Sequence, residues 1–370
     1  MQIGVPKEIK DHEYRVGLTP ESVSELCERG HKVLVEPNAG AGIGAADDEY
    51  VAAGATLANA NDIFAAVDLI VKVKEPQAVE RARLRPDQLL FTYLHLAPDP
   101  EQTRDLVESS AICIAYETVT SPSGGLPLLA PMSEVAGRLS IQAAAHCLEK
   151  THGGRGVLLG GVPGVECAKV VIIGGGVVGT HATHISVGMG ASTFVVDKSN
   201  PALDRLWQTF QRSVHTVYST RAAITEHVLN ADVVIGGVLV PGAAAPKLVT
   251  AEHVRHMRPG SVIVDVAIDQ GGCCETSRPT THSDPTFIVD DVVHYCVANM
   301  PGAVPRTSTY ALNNATLPYV LALAEQGVNA LKADPHLLNG LNVCRGRVTQ
   351  EAVANALGYE FQRPVDAVAG

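Results

Sequence analysis

The most specific chemistry in the sequence sits in a glycine-rich turn. Val170-Val171-Ile172-Ile173 reads as a buried strand and runs straight into Gly174-Gly175-Gly176-Val177-Val178-Gly179. Glycines 174, 176 and 179 thus follow a strand and open a helix, and the next strand, Thr193-Phe194-Val195-Val196, ends on Asp197. That order is the dinucleotide fingerprint. Gly174 permits a tight turn, Gly176 lets the backbone approach a pyrophosphate, and Gly179 lets helix and strand pack closely. The helix N-terminus offers N–H groups to the phosphates. Asp197 suits the adenosine ribose hydroxyls and would repel a 2′-phosphate, so NAD is expected over NADP.

Four charged side chains stand where strands are expected to end. Arg15 lies after the first strand, Lys74 closes Asp68–Lys74, His95 follows Gln88–Leu94, and Asp269 follows Ser261–Ala267. In open α/β sheets, ligands bind at the carboxyl ends of strands. A guanidinium such as Arg15 can grip a carboxylate bidentately, with Lys74 as a second positive group. A histidine titrates where proton transfer near neutrality needs it. By spacing alone each has a plainer reading. Arg15 could be a solvated loop charge and Lys74, beside Lys72 and Glu75, a surface ion pair. His95 between Leu94 and Leu96 could be a core histidine, and Asp269 before Gln270-Gly271-Gly272 a turn residue.

The elements that must position these groups form two α/β series. Strand candidates in the first are Gln2–Pro6, His31–Glu36, Asp68–Lys74, Gln88–Leu94 and Ala111–Tyr116. Between the first two lies a helix that Thr19 can cap, with Pro20 and Glu21 in its first turn and Gly30 as its stop. Such alternation implies a parallel sheet with crossover helices. After the loop Ser121-Pro122-Ser123-Gly124-Gly125 a long helix is expected over Ser133–Lys150. The second series has strand candidates Lys169–Ile173, Ser192–Val196, Asp232–Gly236, Ser261–Ala267 and Thr286–Val289. From about Tyr310 the chain reads as helical, with no strands of its own. This tail is expected to pack back on the first domain and make it discontinuous.

Composition agrees. A length of 370 residues suggests two domains. The chain is 46% hydrophobic and 18% charged, which excludes wholesale disorder. With 28 basic and 39 acidic side chains the net charge is −11, and no basic run offers a nucleic-acid footprint. No stretch reaches the roughly 18 apolar residues of a membrane helix. Met1-Gln2-Ile3-Gly4-Val5-Pro6-Lys7-Glu8 reads as a strand start, not a signal peptide. The cysteines, Cys27, Cys113, Cys147, Cys167, Cys273, Cys274, Cys296 and Cys344, include no CxxC pair and are expected as free thiols. Cys273-Cys274 is the one candidate redox pair. Histidines other than His95 show no metal-ligand spacing, and no metal is expected.

Longer motifs resemble the alanine dehydrogenases. They are Gly4-Val5-Pro6-Lys7-Glu8 with Glu13-Tyr14-Arg15-Val16, Lys72-Val73-Lys74-Glu75-Pro76, and Thr92-Tyr93-Leu94-His95-Leu96-Ala97. Leu129 to Arg138, Val264 to Gly272, Asn299-Met300-Pro301 and Thr309-Tyr310-Ala311-Leu312 continue the match nearly to the end. Transhydrogenase α subunits share the fold and the opening motif. The resemblance implies NAD-dependent oxidative deamination of L-alanine to pyruvate and ammonium, and the reverse. It also implies a cytoplasmic homo-oligomer, typically a hexamer. The fold expected is two Rossmann-like, doubly wound parallel-sheet domains with a cleft between them. The substrate domain would comprise residues 1–128 and 307–370, and the NAD domain residues 129–306. Arg15, Lys74 and His95 would face Asp269 across that cleft.

The resemblance further implies residue roles. Arg15 and Lys74 bind substrate, with Met132 packing beside it, while His95 and Asp269 act in proton transfer. Besides Gly174, Gly176, Gly179 and Asp197, cofactor contacts would come from Ser133, as the start of its helix, and from the backbone of Val177 and Val178. Ser219, Val238 and Leu239 would flank the adenosine side. Val266, Ala267, Ile268, Asp269, Val297, Ala298, Asn299 and Met300 would line the nicotinamide end, with Arg278 nearby. One stretch departs from the family. A basic residue is expected shortly after the ribose aspartate, but Lys198-Ser199-Asn200-Pro201-Ala202-Leu203-Asp204-Arg205 offers either Ala202 without a gap or Arg205 with a shift. The rivals are a transhydrogenase-like nucleotide subunit, which needs no histidine relay, and a non-catalytic NAD sensor, which needs no acid/base set.

Overall fold

A computed structural model of the chain describes residues 1–238 and 245–369. The chain divides into two compact units, one of Met1–Met132 with Val304–Gly370, the other Ser133–Ala303. In the first unit the strands are β1 (Gln2–Val5), β2 (Lys32–Val35), β3 (Thr56–Leu57), β4 (Leu69–Val71), β5 (Leu89–Thr92) and β6 (Ile112–Ala115). In the second they are β7 (Lys169–Ile173), β8 (Ser192–Asp197), β9 (His215–Tyr218), β10 (Val233–Gly236), β11 (Val262–Asp265), β12 (Thr286–Val289) and β13 (Val292–Tyr295). The tail adds β14 (Leu341–Cys344) and β15 (Arg347–Val348) to the first sheet.

The first sheet runs β15-β14-β6-β5-β4-β1-β2-β3 and the second β12-β13-β11-β10-β7-β8-β9. Both are parallel through their middles, and β4, β5, β6, β10 and β11 are buried along their whole length. Burial on both faces explains why these strands read as near-continuous apolar runs, without polar alternation. Neither sheet is wholly parallel, contrary to expectation. β14 runs antiparallel to β6, β15 to β14, and β12 to β13.

The tail therefore does contribute strands. Leu341–Cys344 is only four residues long and carries Asn342, which hides its apolar character in the sequence. β9 and β13 also escape sequence reading. His215–Tyr218 is only partly buried, at a sheet edge, and Val292–Tyr295 is interrupted by the buried polar His294. The first helix forms as its punctuation requires. Thr19 accepts from the Ser22 N–H, Pro20 opens Pro20–Glu28, and Gly30 follows with a φ of 81°. The long helix spans Ala130–Cys147, so Ser133 lies inside its first turn rather than at its start. Among the described residues no helix is long and apolar enough to cross a membrane.

Candidate functional site

In the second unit the chain leaves β7 outward through β8 and β9, then returns to β10 on the other side of β7. The strand order therefore reverses between β7 and β10, where open sheets bind ligands. The glycine loop sits there. Gly174 has a φ of 102°, and a Cβ on it would come within 2.8 Å of the Gly237 carbonyl oxygen. A Cβ on Gly179 would lie 1.8 Å from the Gly174 carbonyl oxygen. These two glycines are required by the protein's own packing. Gly176 is different: a Cβ there meets no atom within 4 Å. Gly176 precedes the helix Val177–Gly188 with no side-chain cap, which leaves the helix N-terminus to offer its N–H groups outward. This cradle fits a pyrophosphate.

Asp197 ends β8 and accepts hydrogen bonds from the N–H groups of Gly175 and Ser199. Its oxygens are thereby fixed beside the glycine loop, each with a further lone pair. Arg205, not Ala202, reaches that loop: its Nη2 donates to the Gly175 carbonyl at 2.8 Å. Ser219 donates its N–H to the Asp197 carbonyl, and Val238 follows β10, half-buried. Leu239 lies outside the described residues. Val177 is exposed and Val178 buried.

The strand β11 is followed by a short 3-10 turn, Val266–Gln270, with Ala267 and Ile268 buried and Asp269 exposed. Sequence reasoning missed what holds this turn. Asp265 is fully buried and accepts from the N–H groups of Cys273 and Cys274, at 3.2 and 3.1 Å, and from the Ser277 hydroxyl at 2.7 Å. Val297 and Met300 are buried, and Ala298 donates its N–H to the Thr280 carbonyl. Asn299 takes a left-handed φ of 63°. Arg278 is exposed, with its guanidinium 4.2 Å over the Phe287 ring. The redox reading of Cys273-Cys274 does not hold. Both thiols are buried, and burial pushes both up, away from the reactive thiolate. All eight cysteines are free.

In the first unit the strand order reverses between β1 and β4, and the chain after each strand carries the charges. Arg15 is buried. Its Nε and Nη2 both bond Glu13, the first at 2.6 Å, and Nη1 lies 3.1 Å from the Met132 sulfur. Burial opposes the guanidinium charge, but Glu13 more than offsets this and raises its pKa. After β4, Lys72 is fully buried between Glu8 at 3.1 Å and Glu80 at 2.7 Å. Glu8 also accepts the N–H groups of Val73, at 2.7 Å, and Lys74, at 3.3 Å. Lys74 thus sits three residues past its strand, on a turn tied to a buried carboxylate, with Nζ 3.9 Å from Glu75.

His95 follows β5 and is exposed, not a core residue. Its φ is 51°, a left-handed conformation that a non-glycine residue holds only when its surroundings enforce it. Glu117 enforces it, accepting the N–H groups of His95 at 2.6 Å and Leu94 at 3.1 Å. The imidazole Nδ1 lies 3.8 Å from the same carboxylate, and the ring stacks on Tyr93. Glu8, Glu13, Glu80 and Glu117 were not read from sequence as site residues. The signal available was that Glu8 and Glu13 lie inside the same motifs as Arg15.

The absence of metal-ligand spacing among the other histidines also needs correction. His146, Glu149 and His152 bring their ligand atoms within 4.8 Å of one another. The interval of three carries no clear signal in the sequence because the residues fall across the end of the helix Ala130–Cys147 and the 3-10 turn Lys150–His152, with Glu149 extended between them.

Two family models cover the chain. The Alanine dehydrogenase/PNT N-terminal domain matches residues 4–136 and its C-terminal domain residues 140–351. The alanine dehydrogenase of Halomonas elongata is 59% identical over 98% of both chains. A solved L-alanine dehydrogenase matches with a TM-score of 0.94 and 54% identity, covering 97% of this chain and 99% of that one. The transhydrogenase from Sinorhizobium meliloti matches at a TM-score of 0.80 and 24% identity, covering 95% and 100%, a likeness of fold.

Proposed function

The chain belongs to the alanine dehydrogenase/PNT family, and we propose that it catalyses the NAD-dependent, reversible oxidative deamination of L-alanine to pyruvate and ammonium. The observation that carries this reading is that Arg15, Lys74 and His95 stand on the chain segments that follow β1, β4 and β5, three neighbouring strands of one sheet. A dinucleotide-binding subunit without its own substrate has no use for that set, which disfavours the transhydrogenase-like and sensor readings.

The family and its Rossmann-type unit imply a nicotinamide cofactor, which supplies hydride acceptance when bound. Gly176, the N-terminus of Val177–Gly188 and Asp197 would hold it. The Asp197 carboxylate favours the unphosphorylated ribose, and hence NAD. Ser133, Ser219, Val238, Leu239, Arg278, the run Val266–Asp269 and residues 297–300 are proposed contacts along its length. Arg15 presents the end of its guanidinium to the substrate carboxylate while Glu13 fixes its plane. Met132, whose sulfur accepts from the Arg15 Nη1, bounds the same place. Lys74 supports negative charge on the carboxylate or the carbonyl oxygen. His95 takes and returns protons as the amine is deprotonated and water adds to the imine. Asp269 orients that water, or ammonia in reverse, and balances the positive imine. We further propose a cytoplasmic homohexamer, which light scattering would check.

The test is direct. Formation of NADH or NADPH is followed on adding L-alanine with NAD or NADP respectively, with glycine, L-serine and D-alanine as comparisons. L-alanine with NAD should dominate, and Asp197→Ala should narrow the cofactor preference by weakening NAD. Equal use of both cofactors by the unmodified protein would sink the NAD assignment, and no turnover of L-alanine would sink the function.

A further inference from the structure

We propose that His146, Glu149 and His152 form a surface binding site for a borderline divalent ion of the zinc type. The three side chains recur at an interval of three residues, where the helix Ala130–Cys147 ends and the 3-10 turn Lys150–His152 begins. Glu149 between them is extended, with a φ of −66° and a ψ of 145°, and the chain bending about it brings one ligand atom of each residue within 4.8 Å of the others. A turn closes on each side of Glu149: its N–H donates to the His146 carbonyl at 3.1 Å, and the His152 N–H donates to the Glu149 carbonyl at 3.0 Å.

The frame beneath is rigid. Gly154 donates to the Glu149 carbonyl, Gly156 to the Leu148 carbonyl, and Arg155 to the Gly260 carbonyl. Gly154 is obligatory, since a Cβ there would lie 2.2 Å from the Cys147 carbonyl oxygen. The ligands are therefore held by fixed backbone rather than by a mobile loop.

The donor set has the right chemistry and nearly the right spacing. Nδ1 of His146 lies 3.6 Å from one Glu149 oxygen, and Nδ1 of His152 lies 3.6 Å from the other. The two imidazole rings are 3.8 Å apart at their centroids. Zinc bonded to nitrogen and oxygen at about 2.1 Å in a tetrahedron sets its ligand atoms roughly 3.4 Å apart. Small rotations of half-exposed side chains close that gap. Two imidazoles and a carboxylate suit zinc, copper or nickel rather than magnesium or calcium, which prefer all-oxygen shells. The exposed side leaves the remaining position to water. The second candidate pair, His256 with Glu252 at 3.2 Å, offers one imidazole only and serves as the comparison.

The experiment titrates Zn²⁺ into metal-stripped full-length protein against a chromogenic chelator. The unmodified protein and His256→Ala should bind one ion alike. His146→Ala, His152→Ala and Glu149→Gln should each weaken it by about tenfold or more, since loss of even a supporting partner costs that much. Folding and NADH binding should be unchanged in all four variants. Zinc binding that survives His152→Ala and Glu149→Gln at full strength, or that is absent from the unmodified protein, overturns the site.

Discussion

At the end of β1 and β4 the first unit places four charged side chains with almost no exposure: Glu8, Glu13, Arg15 and Lys72. At the end of β7 the second unit places three glycines and a helix N-terminus, with Asp197 as the charged group read from the sequence. One region is built from ion pairs, the other from backbone and the absence of side chains. The difference follows from the ligands each is proposed to take. A small amino acid offers a carboxylate and an amine, which only side-chain charges can grip. A dinucleotide offers phosphates, which a row of N–H groups already matches. The cost differs as well. Buried charges must be paired to be tolerated, whereas a glycine turn needs only space.

The largest effects should appear where an exposed group does chemistry and holds nothing up. His95→Ala and Asp269→Ala should each lower turnover by at least about 10²-fold, the lower range for losing a general acid or base. Stability should hardly change for either, and NADH binding, read by fluorescence, should persist in His95→Ala. A folded, NADH-binding His95→Ala protein with near-normal alanine oxidation would remove His95 from the proton path and leave Lys74 or bound water to carry it.

Arg15 tests the charge-built region itself. Arg15→Ala strands Glu13 in the interior and should cost about 3–5 kcal/mol of stability, as breaking a buried pair does. Arg15→Lys keeps the charge but cannot occupy Glu13 through Nε and Nη2 together, so the KM for pyruvate should rise while NADH binding holds. Urea unfolding and steady-state kinetics measure the two. Unchanged stability in Arg15→Ala would mean that the pair is not what shapes this region.

The glycine pair tests the backbone-built region. Gly179→Ala drives a Cβ into the Gly174 carbonyl and should destabilise by about 1–3 kcal/mol, the cost of overpacking. Gly176→Ala meets no protein atom and should leave the melting temperature alone while weakening NADH binding. If both variants behave alike, the space at Gly176 is not the approach face of a ligand.

These contrasts explain what could be read from the sequence. Gly174, Gly179 and Asp197 were legible because steric needs at a strand–helix turn fix residue type and spacing locally. Arg15, Lys74 and His95 were legible as strand-end residues, and their motifs resemble a known family. Their partners were not. Glu80 meets Lys72, and Glu117 meets His95, only after separate segments have folded together. Asp265 was hidden for the same reason, since its partners Cys273, Cys274 and Ser277 lie beyond a turn. The tail strands were hidden by length: four residues with an asparagine carry too little alternation to announce a strand.

The smallest effect concerns Glu75, which ties the Lys74 turn to Lys10. Burial alone would raise its carboxyl, but Lys74 and then Lys10 reverse that and hold it below the ordinary value of 4.5. A carboxyl depressed in the folded state contributes stability above its unfolded pKa and loses it as pH falls through the folded one. The loss therefore begins near pH 4.5 and grows towards stronger acid. Glu75→Gln cannot titrate, so its melting temperature should fall less steeply than that of the unmodified protein over this window. At neutral pH the variant should be the less stable by about 1 kcal/mol or less, the scale of a partly exposed ion pair. Parallel acid limbs for the two proteins would show that Glu75 is as easily protonated folded as unfolded. The charge-built region would then end at Lys72 and Glu8, without extending to the turn that carries Lys74.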